Sequence, residues 1–342
     1  MSDRRGRALA AAAVGAAALG GAAWLASQAR RGQKVPLGVT LEGGRDSTVT
    51  SLDGTEIHVA EYGPKDAPAL VLVHAWMCSI ELWHRQIEAL GSEARIIALD
   101  MRGHGGSGFA PTLDYSIEAF ADDLDAVLEA HMGDGERAVI AGHSMGAMTV
   151  AAWAHRYPEH VAKRCAAVAM IGTGLGDLTS EALVVRGPGT DGFREHASAA
   201  LLSTEIPFDG APEPVVRTAA RYVAFGPEAR DEDVALVAAM ARNCPRRVRG
   251  LSGGTLSKMD VYDGLAHLDV PAAVIAGSAD RMTPPVHSHK LAELLPAAPE
   301  VIVAEGAGHM VPLEADEIVT EGLRLLLPEA KRKRRRRAKA KA

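Results

Sequence analysis

The pentapeptide Gly142-His143-Ser144-Met145-Gly146 constrains the fold of this chain more than any other feature. It follows an apolar run at residues 138–141, typical of a strand buried on both faces, and it opens a helical pattern at residues 145–157. A strand that turns directly into a helix needs glycine on both sides of the turn, because a side chain there would meet the neighbouring strand or helix. The pattern therefore predicts a sharp turn that presents the Ser144 hydroxyl at the carboxyl edge of a sheet, with a helix N-terminus pointing toward it.

The rest of the chain alternates between strand-like and helical patterns. Further strand-like runs lie at residues 48–52, 56–62, 69–73, 95–99, 165–171, 272–276 and 301–303. Further helical patterns lie at residues 116–131, 284–295 and 315–326, and Asp53-Gly54 predicts a hairpin between the first two strands. This alternation predicts an α/β fold with a mostly parallel sheet and helices on both faces.

Residues 175–265 interrupt the alternation. The stretch is rich in Ala, Arg and Pro, has no clear strand and lies between two predicted strands of the sheet. Because it is too long for a simple loop, we expect an inserted helical lid. Its candidate pocket residues, for which simple packing is the alternative, are Phe193, Phe208, Tyr222, Phe225 and Met240.

A serine nucleophile needs a base, and the loops after two strand-like runs supply the candidates. His309 follows the last run, and Asp280 follows the run at residues 272–276, where it could orient the imidazole. Asp177 and Asp100 are the alternatives to Asp280. His143 is next to the serine, but neighbours on a sharp turn point apart, so we expect it to be a packing residue.

The chain order Ser144, Asp280, His309 is that of the α/β hydrolases. Together with the motifs at 74–76, 100–107, 277–280 and 308–309, it makes residues 48–327 resemble a lid-bearing α/β hydrolase of the serine esterase and lipase type. The chain is similar to monoacylglycerol-lipase-like and haloperoxidase-like hydrolases. The resemblance implies an eight-stranded, mostly parallel sheet, helices on both faces and an inserted helical lid.

The resemblance also implies a role for each residue of the site. Ser144 would be the nucleophile, His309 the general base and then the acid, and Asp280 the residue that orients His309. The backbone N–H groups of Trp76 and Met145 would form the oxyanion hole. Ala75 departs from the family, which usually has glycine there, so either this position needs no positive φ or the oxyanion geometry is altered.

These residues predict a serine hydrolase that cleaves carboxylic esters, with a small neutral or lipid-like acyl ester as substrate. We expect no cofactor and no metal, since the triad needs neither and the three cysteines lack ligand-like spacing. Two alternatives remain open at this point. One is a cofactor-free haloperoxidase or perhydrolase, which shares the triad, and the other is a non-catalytic ligand-binding protein on the same fold.

The charge distribution separates the two ends of the chain from its body. Residues 35–330 hold 22 basic and 42 acidic residues, a net charge of −20, whereas residues 331–342 hold nine basic residues and no acidic one. An acidic body makes nucleic acid an unlikely partner and favours neutral substrates. The predicted segments are a linker (35–46), two core parts (47–174 and 266–328) around the lid (175–265), and a basic disordered tail (329–342).

Residues 1–34 are predicted to be a membrane anchor or signal segment with basic flanks. Residues 8–27 contain no charged side chain and, as a helix, would span about 30 Å, the thickness of a bilayer core. We expect an uncleaved transmembrane helix, a membrane-associated location and further membrane contact by the basic tail. The alternative is a signal peptide that is cleaved on export.

Overall fold

The fold is described by a computed structural model that covers residues 34–178, 205, 208 and 210–328. Within these residues eight strands form a single sheet in the order β1-β2-β4-β3-β5-β6-β7-β8. The strands are β1 (Arg45–Thr50), β2 (Glu56–Tyr62), β3 (Ala69–Val73), β4 (Arg95–Leu99), β5 (Ala138–His143), β6 (Cys165–Ile171), β7 (Ala272–Gly277) and β8 (Val301–Ala304). Only β2 pairs antiparallel to its neighbours, β1 and β4, and the remaining pairs are parallel. The α/β fold with a mostly parallel sheet is confirmed.

Helices cover both faces of this sheet. The described helices are α1 (His84–Leu90), α2 (Ile117–His131), α3 (Met145–Arg156), α4 (Pro158–Arg164), α5 (Glu213–Ala224), α6 (Asp231–Asn243), α7 (Arg246–Leu256), α8 (Pro285–Leu294), α9 (Val311–Glu314) and α10 (Asp316–Leu326). Helix α2 begins after Ser116 because the Ser116 hydroxyl caps its N-terminus, where it accepts a hydrogen bond of 3.2 Å from the Ala119 N–H.

The core consists of one apolar layer on each side of the sheet. Alternate residues of β3 face opposite layers: Val71 and Val73 belong to the layer with α2 and α3, whereas Leu70 and Leu72 belong to the layer with α1 and α10. All five residues of β3 are buried, as expected for a central strand covered on both faces. This rigid centre fixes the carboxyl ends of β3, β5, β7 and β8, where the candidate site lies.

The first strand differs from the prediction, which placed it at residues 48–52. β1 begins three residues earlier and ends at Thr50, because Ser51 to Thr55 form the hairpin turn. In that turn the Gly54 N–H donates to the Ser51 carbonyl at 3.0 Å, and Leu52 is exposed. The predicted Asp53-Gly54 hairpin is therefore present, with Gly54 at a φ of 85°.

The segment between β6 and β7, residues 175–265, is called the insertion below. Its described part contains α5, α6 and α7 and the start of a short 3₁₀ helix (Tyr262–His267), and no strand occurs in that part. Residues 179–204 lie outside the description, and with them the candidate pocket residue Phe193. A lid function of the insertion stays a prediction.

Residues 35–46, predicted to be a linker, contact the body of the protein. The Val35 N–H donates to the side-chain oxygen of Asn243 at 2.7 Å, and the Asn243 amide donates back to the Val35 carbonyl at 2.9 Å. Leu37, Val39 and Leu41 then pack against the apolar layer beside α1. The segment thus joins the end of α6 to the core.

The predicted membrane-associated location is wrong for the part of the chain that the structure describes, where no helix is long and apolar enough to cross a membrane. The longest described helix, α2, has 15 residues and spans about 22 Å, less than the ~30 Å of a bilayer core. It also carries five acidic side chains. The predicted transmembrane helix at residues 8–27 and the basic tail at 329–342 lie outside the described residues.

Candidate active site

Ser144 sits on a strained turn between β5 and α3. Its φ of 52° and ψ of −117° are backbone angles that residues other than glycine rarely adopt. The Ser144 N–H is fixed by a 2.9 Å hydrogen bond to the Ile171 carbonyl at the end of β6. The turn therefore holds the serine at the carboxyl edge of the sheet, as the sequence predicts.

The two glycines of the pentapeptide explain how the turn packs. A Cβ on Gly146 would overlap the Val73 carbonyl oxygen of β3, and a Cβ on Gly142 would overlap the Ala147 backbone of α3. Helix α3 can approach the strands this closely only because both positions lack a side chain.

His309 and Asp280 meet at the same edge of the sheet. The His309 Nδ1–H donates to Asp280 Oδ2 at 2.8 Å, and both side chains are almost fully buried. They come from the loops after β8 and β7, which are neighbours in the sheet. Because the carboxylate occupies Nδ1, Nε2 is the ring nitrogen that remains for proton transfer.

A network around Asp280 keeps its carboxylate in place. Oδ1 accepts hydrogen bonds from the backbone N–H groups of Met282 (2.8 Å) and Thr283 (2.9 Å). The Thr283 hydroxyl donates to Oδ2 at 2.8 Å. Burial by itself raises the pKa of Asp280, but His309 and the Thr283 hydrogen bonds outweigh it and hold the pKa below its usual value. Asp280 is thus anionic at neutral pH.

His143, expected to be a packing residue, is fully buried and has a definite polar role. Burial, together with a smaller effect of the nearby His309 ring, lowers the pKa of His143 to about 3, so the imidazole is neutral. Its Nε2–H donates to the backbone carbonyl of His309 at 2.8 Å. His143 therefore ties the serine turn to the histidine loop.

The two alternatives to Asp280 lie elsewhere. Asp177 is exposed and its carboxylate lies 3.1 Å from Lys290 Nζ. Asp100 is buried and accepts hydrogen bonds from His58 and from the backbone of Ile80 and Gly106. Neither carboxylate has a hydrogen bond to His309 among those found in the described residues. Asp100 therefore has a structural role, in which it joins the end of β4 to β2 and to two loops.

The loop after β3 carries Trp76, one of the two predicted oxyanion donors. Residues 75–78 form a turn in which the Cys78 N–H donates to the Ala75 carbonyl at 3.1 Å. The positive φ of this turn falls on Met77, at 61°, and Ala75 is not among the described residues with positive φ. Ala75 therefore does not adopt the conformation that glycine favours.

Met145, the other predicted donor, is the first residue of α3. Its N–H has no partner within the helix, because the first four N–H groups of any helix lack one. The side chain of Trp76 is held by the insertion, because its indole N–H donates to the Ser252 hydroxyl of α7 at 3.0 Å. The described part of the chain contains no cluster of His, Cys, Asp and Glu side chains that could hold a metal ion.

The candidate pocket residues of the insertion have different surroundings. Phe225 and Met240 are buried in the apolar layer beside α1, which is the packing role. Tyr222 is half-exposed beneath the Arg281 guanidinium, and Phe208 lies beneath that of Arg249. Thr283, which bonds to Asp280, and Glu314, which bonds to Gly308, are not among the residues that the sequence predicts. Neither has a local motif that would identify it.

This chain is similar to known proteins over most of its described residues. A family model described as alpha/beta hydrolase fold matches residues 68–316. A bifunctional esterase/perhydrolase of Acinetobacter calcoaceticus is 38% identical over 113 residues, which is 32% of this chain and 40% of that protein. A non-heme chloroperoxidase of Streptomyces lividans is 39% identical over 118 residues, 34% of this chain and 42% of the relative. The match thus spans about two fifths of the length of each of these relatives.

Solved structures agree on the fold. An esterase from a Rhodococcus species superposes with a TM-score of 0.68 over 82% of this chain and 97% of that structure, at 22% sequence identity. At this level of identity the likeness concerns the fold alone.

Proposed function

Because this chain belongs to the α/β-hydrolase fold family, we propose that it is a serine hydrolase that cleaves carboxylic esters with Ser144, His309 and Asp280. The observation that carries the proposal is the meeting of three features at one sheet edge: Ser144 on its strained turn, His309, and Asp280 bonded to His309 Nδ1 at 2.8 Å. Each is the group that acyl transfer through a serine requires. The esterase and perhydrolase names of its relatives support the same reaction class.

The proposed reaction begins when His309 Nε2 takes the proton of the Ser144 hydroxyl. The serine oxygen attacks the ester carbonyl carbon, and the negative charge on the carbonyl oxygen is stabilised by the N–H groups of Met145 and Trp76. The imidazolium then protonates the leaving alcohol, which departs and leaves an acyl-enzyme. Water, deprotonated by His309, releases the acid and restores Ser144. Asp280 keeps the imidazole in the required tautomer and stabilises its cation.

The substrate class follows from charge. Residues 35–330 carry a net charge of −20, so an anionic ester would be repelled on approach. We therefore propose neutral carboxylic esters as substrates. The length of the acyl chain depends on the insertion.

The test is hydrolysis of p-nitrophenyl esters from acetate to palmitate by the full chain, compared with Ser144→Ala and His309→Ala. We expect turnover by the wild type and a loss of at least about 10³-fold in each variant, with unchanged folding by circular dichroism. A variant that retains wild-type turnover would refute the assignment of that residue. A folded wild type without activity on any ester would refute the ester-hydrolase proposal.

A second reaction is favoured by the two relatives named as a perhydrolase and a chloroperoxidase. Hydrogen peroxide would replace water and attack the same acyl-enzyme, releasing a peracid. The same variants would abolish it, since both reactions pass through Ser144. Peracid formation from acetate and peroxide, measured beside ester hydrolysis, shows which nucleophile the site prefers.

A further inference from the structure

Glu314, at the end of α9, joins the insertion to the loop that carries His309. Its Oε2 accepts a 2.7 Å hydrogen bond from the backbone N–H of Gly226, which follows α5 in the insertion. Its Oε1 accepts a 3.0 Å hydrogen bond from the N–H of Gly308, the residue before His309. One carboxylate thus binds two amides that are 82 positions apart in the chain.

The two backbone segments that Glu314 joins, the end of α5 and the histidine loop, are also in direct contact. The N–H groups of His309 (2.8 Å) and Met310 (3.1 Å) both donate to the carbonyl of Ala224, the last residue of α5. A Cβ on Gly308 would overlap the Gly226 backbone, and a Cβ on Gly226 would overlap the Gly306 carbonyl oxygen. The end of α5 and the histidine loop therefore touch with no space for a side chain between them.

The residue before Glu314 is fixed by two arginines. The Leu313 carbonyl accepts hydrogen bonds of 2.6 Å from Arg85 of α1 and from Arg230 of the insertion. Burial disfavours the charged carboxylate and raises the pKa of Glu314. The hydrogen bonds from Gly226 and Gly308 and the nearby His309 act in the opposite direction and lower this pKa, but burial outweighs them. Because the N–H groups of Gly226 and Gly308 hold the Glu314 carboxylate in an environment that disfavours its charge, the side chain has little freedom to move.

We propose that Glu314 is a positioning residue for His309, which fastens the end of α5 to the histidine loop so that the placement of the imidazole depends on the insertion. The inference rests on the proposed function, which makes His309 the base. Asp280 fixes the imidazole at Nδ1, whereas Glu314, Ala224 and His143 fix the backbone from which it projects. A backbone shift of a fraction of an ångström would turn Nε2 away from Ser144.

The test compares Glu314→Gln with Glu317→Gln in the full chain. Glutamine has the size of glutamate and keeps one acceptor oxygen, but its NH₂ group faces one of the two amides and cannot bind it. Glu317 is exposed three residues further on, so its variant removes the same charge from the same region. Glu314→Asp keeps the charge but is one methylene too short to reach both amides, and it serves as the second variant.

Two readouts are measured well below the melting temperature. In Glu314→Gln we expect hydrogen exchange at the amides of residues 224–226 and 308–310 to accelerate about tenfold, and kcat for the best ester to fall about tenfold with KM little changed. Glu314→Asp should show both effects, and Glu317→Gln neither. Loss of stability alone would not lower kcat under these conditions.

The two possible failures are separate. If the wild type hydrolyses esters and Glu314→Gln does so at the same kcat, the positioning role is refuted, whatever happens to exchange or melting. Unchanged exchange in Glu314→Gln and Glu314→Asp would also refute it, because the fastening would then not depend on Glu314. A wild type that hydrolyses no ester refutes the proposed function, and the positioning role with it.

Discussion

The buried His309–Asp280 pair shows how single residues set the chemistry of this site. Asp280 is surrounded by donors: two backbone N–H groups, the Thr283 hydroxyl and the His309 Nδ1–H. With all of these bonds formed, the carboxylate can accept a proton from Nδ1 only at a high cost, so in the proposed mechanism Nε2 exchanges protons with the substrate. His143 bonds to the backbone carbonyl of His309, and Glu314 accepts a hydrogen bond from the N–H of Gly308, the residue before it.

Asp280→Asn tests this arrangement at the scale of one residue. The asparagine oxygen can still accept from Met282 and Thr283, but its NH₂ group would face Nδ1 and force the proton onto Nε2. The imidazole could then no longer act as a base at Nε2. We expect kcat for ester hydrolysis to fall about 10³–10⁴-fold with the fold retained.

Thr283→Val is the matched control for Asp280→Asn. It removes the hydroxyl donor but keeps the backbone N–H and the charge of Asp280, so we expect a loss of only about tenfold. Equal losses in the two variants, or a wild-type rate for Asp280→Asn in steady-state kinetics, would contradict the role assigned to Asp280.

Prediction from sequence is uneven at the residue scale, for a physical reason. Ser144, His309 and Asp280 could be identified because each follows a strand, and the carboxyl ends of parallel strands meet at one edge. Their roles stay proposals. Thr283 and Glu314 could not be found, since their importance comes from contacts such as Glu314 with Gly226 that nothing local in the chain encodes.

At the scale of elements, the apolar runs locate the strands well because the core strands are buried on both faces. The bounds of β2, β3, β4 and β6 agree with the prediction, and β5, β7 and β8 extend only one or two residues further. The edge strand β1 is displaced because its burial is weak, so that turn geometry rather than hydrophobicity decides where it ends. The contact of Val35 with Asn243 was unpredictable, as it joins positions 208 residues apart.

His58 of β2 links three strands through ionic hydrogen bonds. Its Nδ1 lies 2.9 Å from Asp100 Oδ2 at the end of β4, and its Nε2 lies 3.0 Å from Asp46 Oδ1 of β1. The hydrogen bond to Asp100 raises the pKa of His58 to about 9, against the opposing effect of burial. The imidazole is therefore charged at neutral pH and holds the antiparallel edge of the sheet to its parallel part.

This raised pKa predicts how stability depends on pH. The stabilisation is fully present below the unfolded pKa of about 6.5 and is lost as the pH rises through about 9. As the pH rises from 6.5 to 9.5, the free energy of unfolding of the wild type should fall because His58 loses its charge. We expect the fall in His58→Gln to be smaller than that of the wild type by on the order of 2 kcal/mol. Urea unfolding followed by tryptophan fluorescence measures it, with the exposed His267→Gln as control. Parallel pH profiles for wild type and His58→Gln would contradict the linkage.

At the scale of the whole molecule, the sheet brings distant segments to one edge, and we propose that the insertion selects the substrate. The strands β3, β5, β7 and β8 deliver Trp76, Ser144, Asp280 and His309, so fold class and reaction class follow from the same topology. The lining of the substrate site follows from neither, because its chemistry depends on how the insertion packs. Because α5 contacts the histidine loop, that packing would be part of the proposed catalytic geometry.

The predicted membrane location illustrates the limit of composition. An uncharged, Ala-rich run satisfies the length requirement of a transmembrane helix, but length and lack of charge are weak evidence when most of the side chains are only slightly apolar. The described helices are short, and α2 and α10 are amphipathic because one side of each faces the core.

The most direct test of the central claim is covalent labelling of the full chain with a fluorophosphonate, followed by intact-mass measurement and peptide mapping. We expect one adduct per chain, located on Ser144, absent in Ser144→Ala and formed much more slowly in His309→Ala. A folded wild-type protein that stays unlabelled, or an adduct that persists in Ser144→Ala, would contradict the assignment of Ser144 as the activated nucleophile.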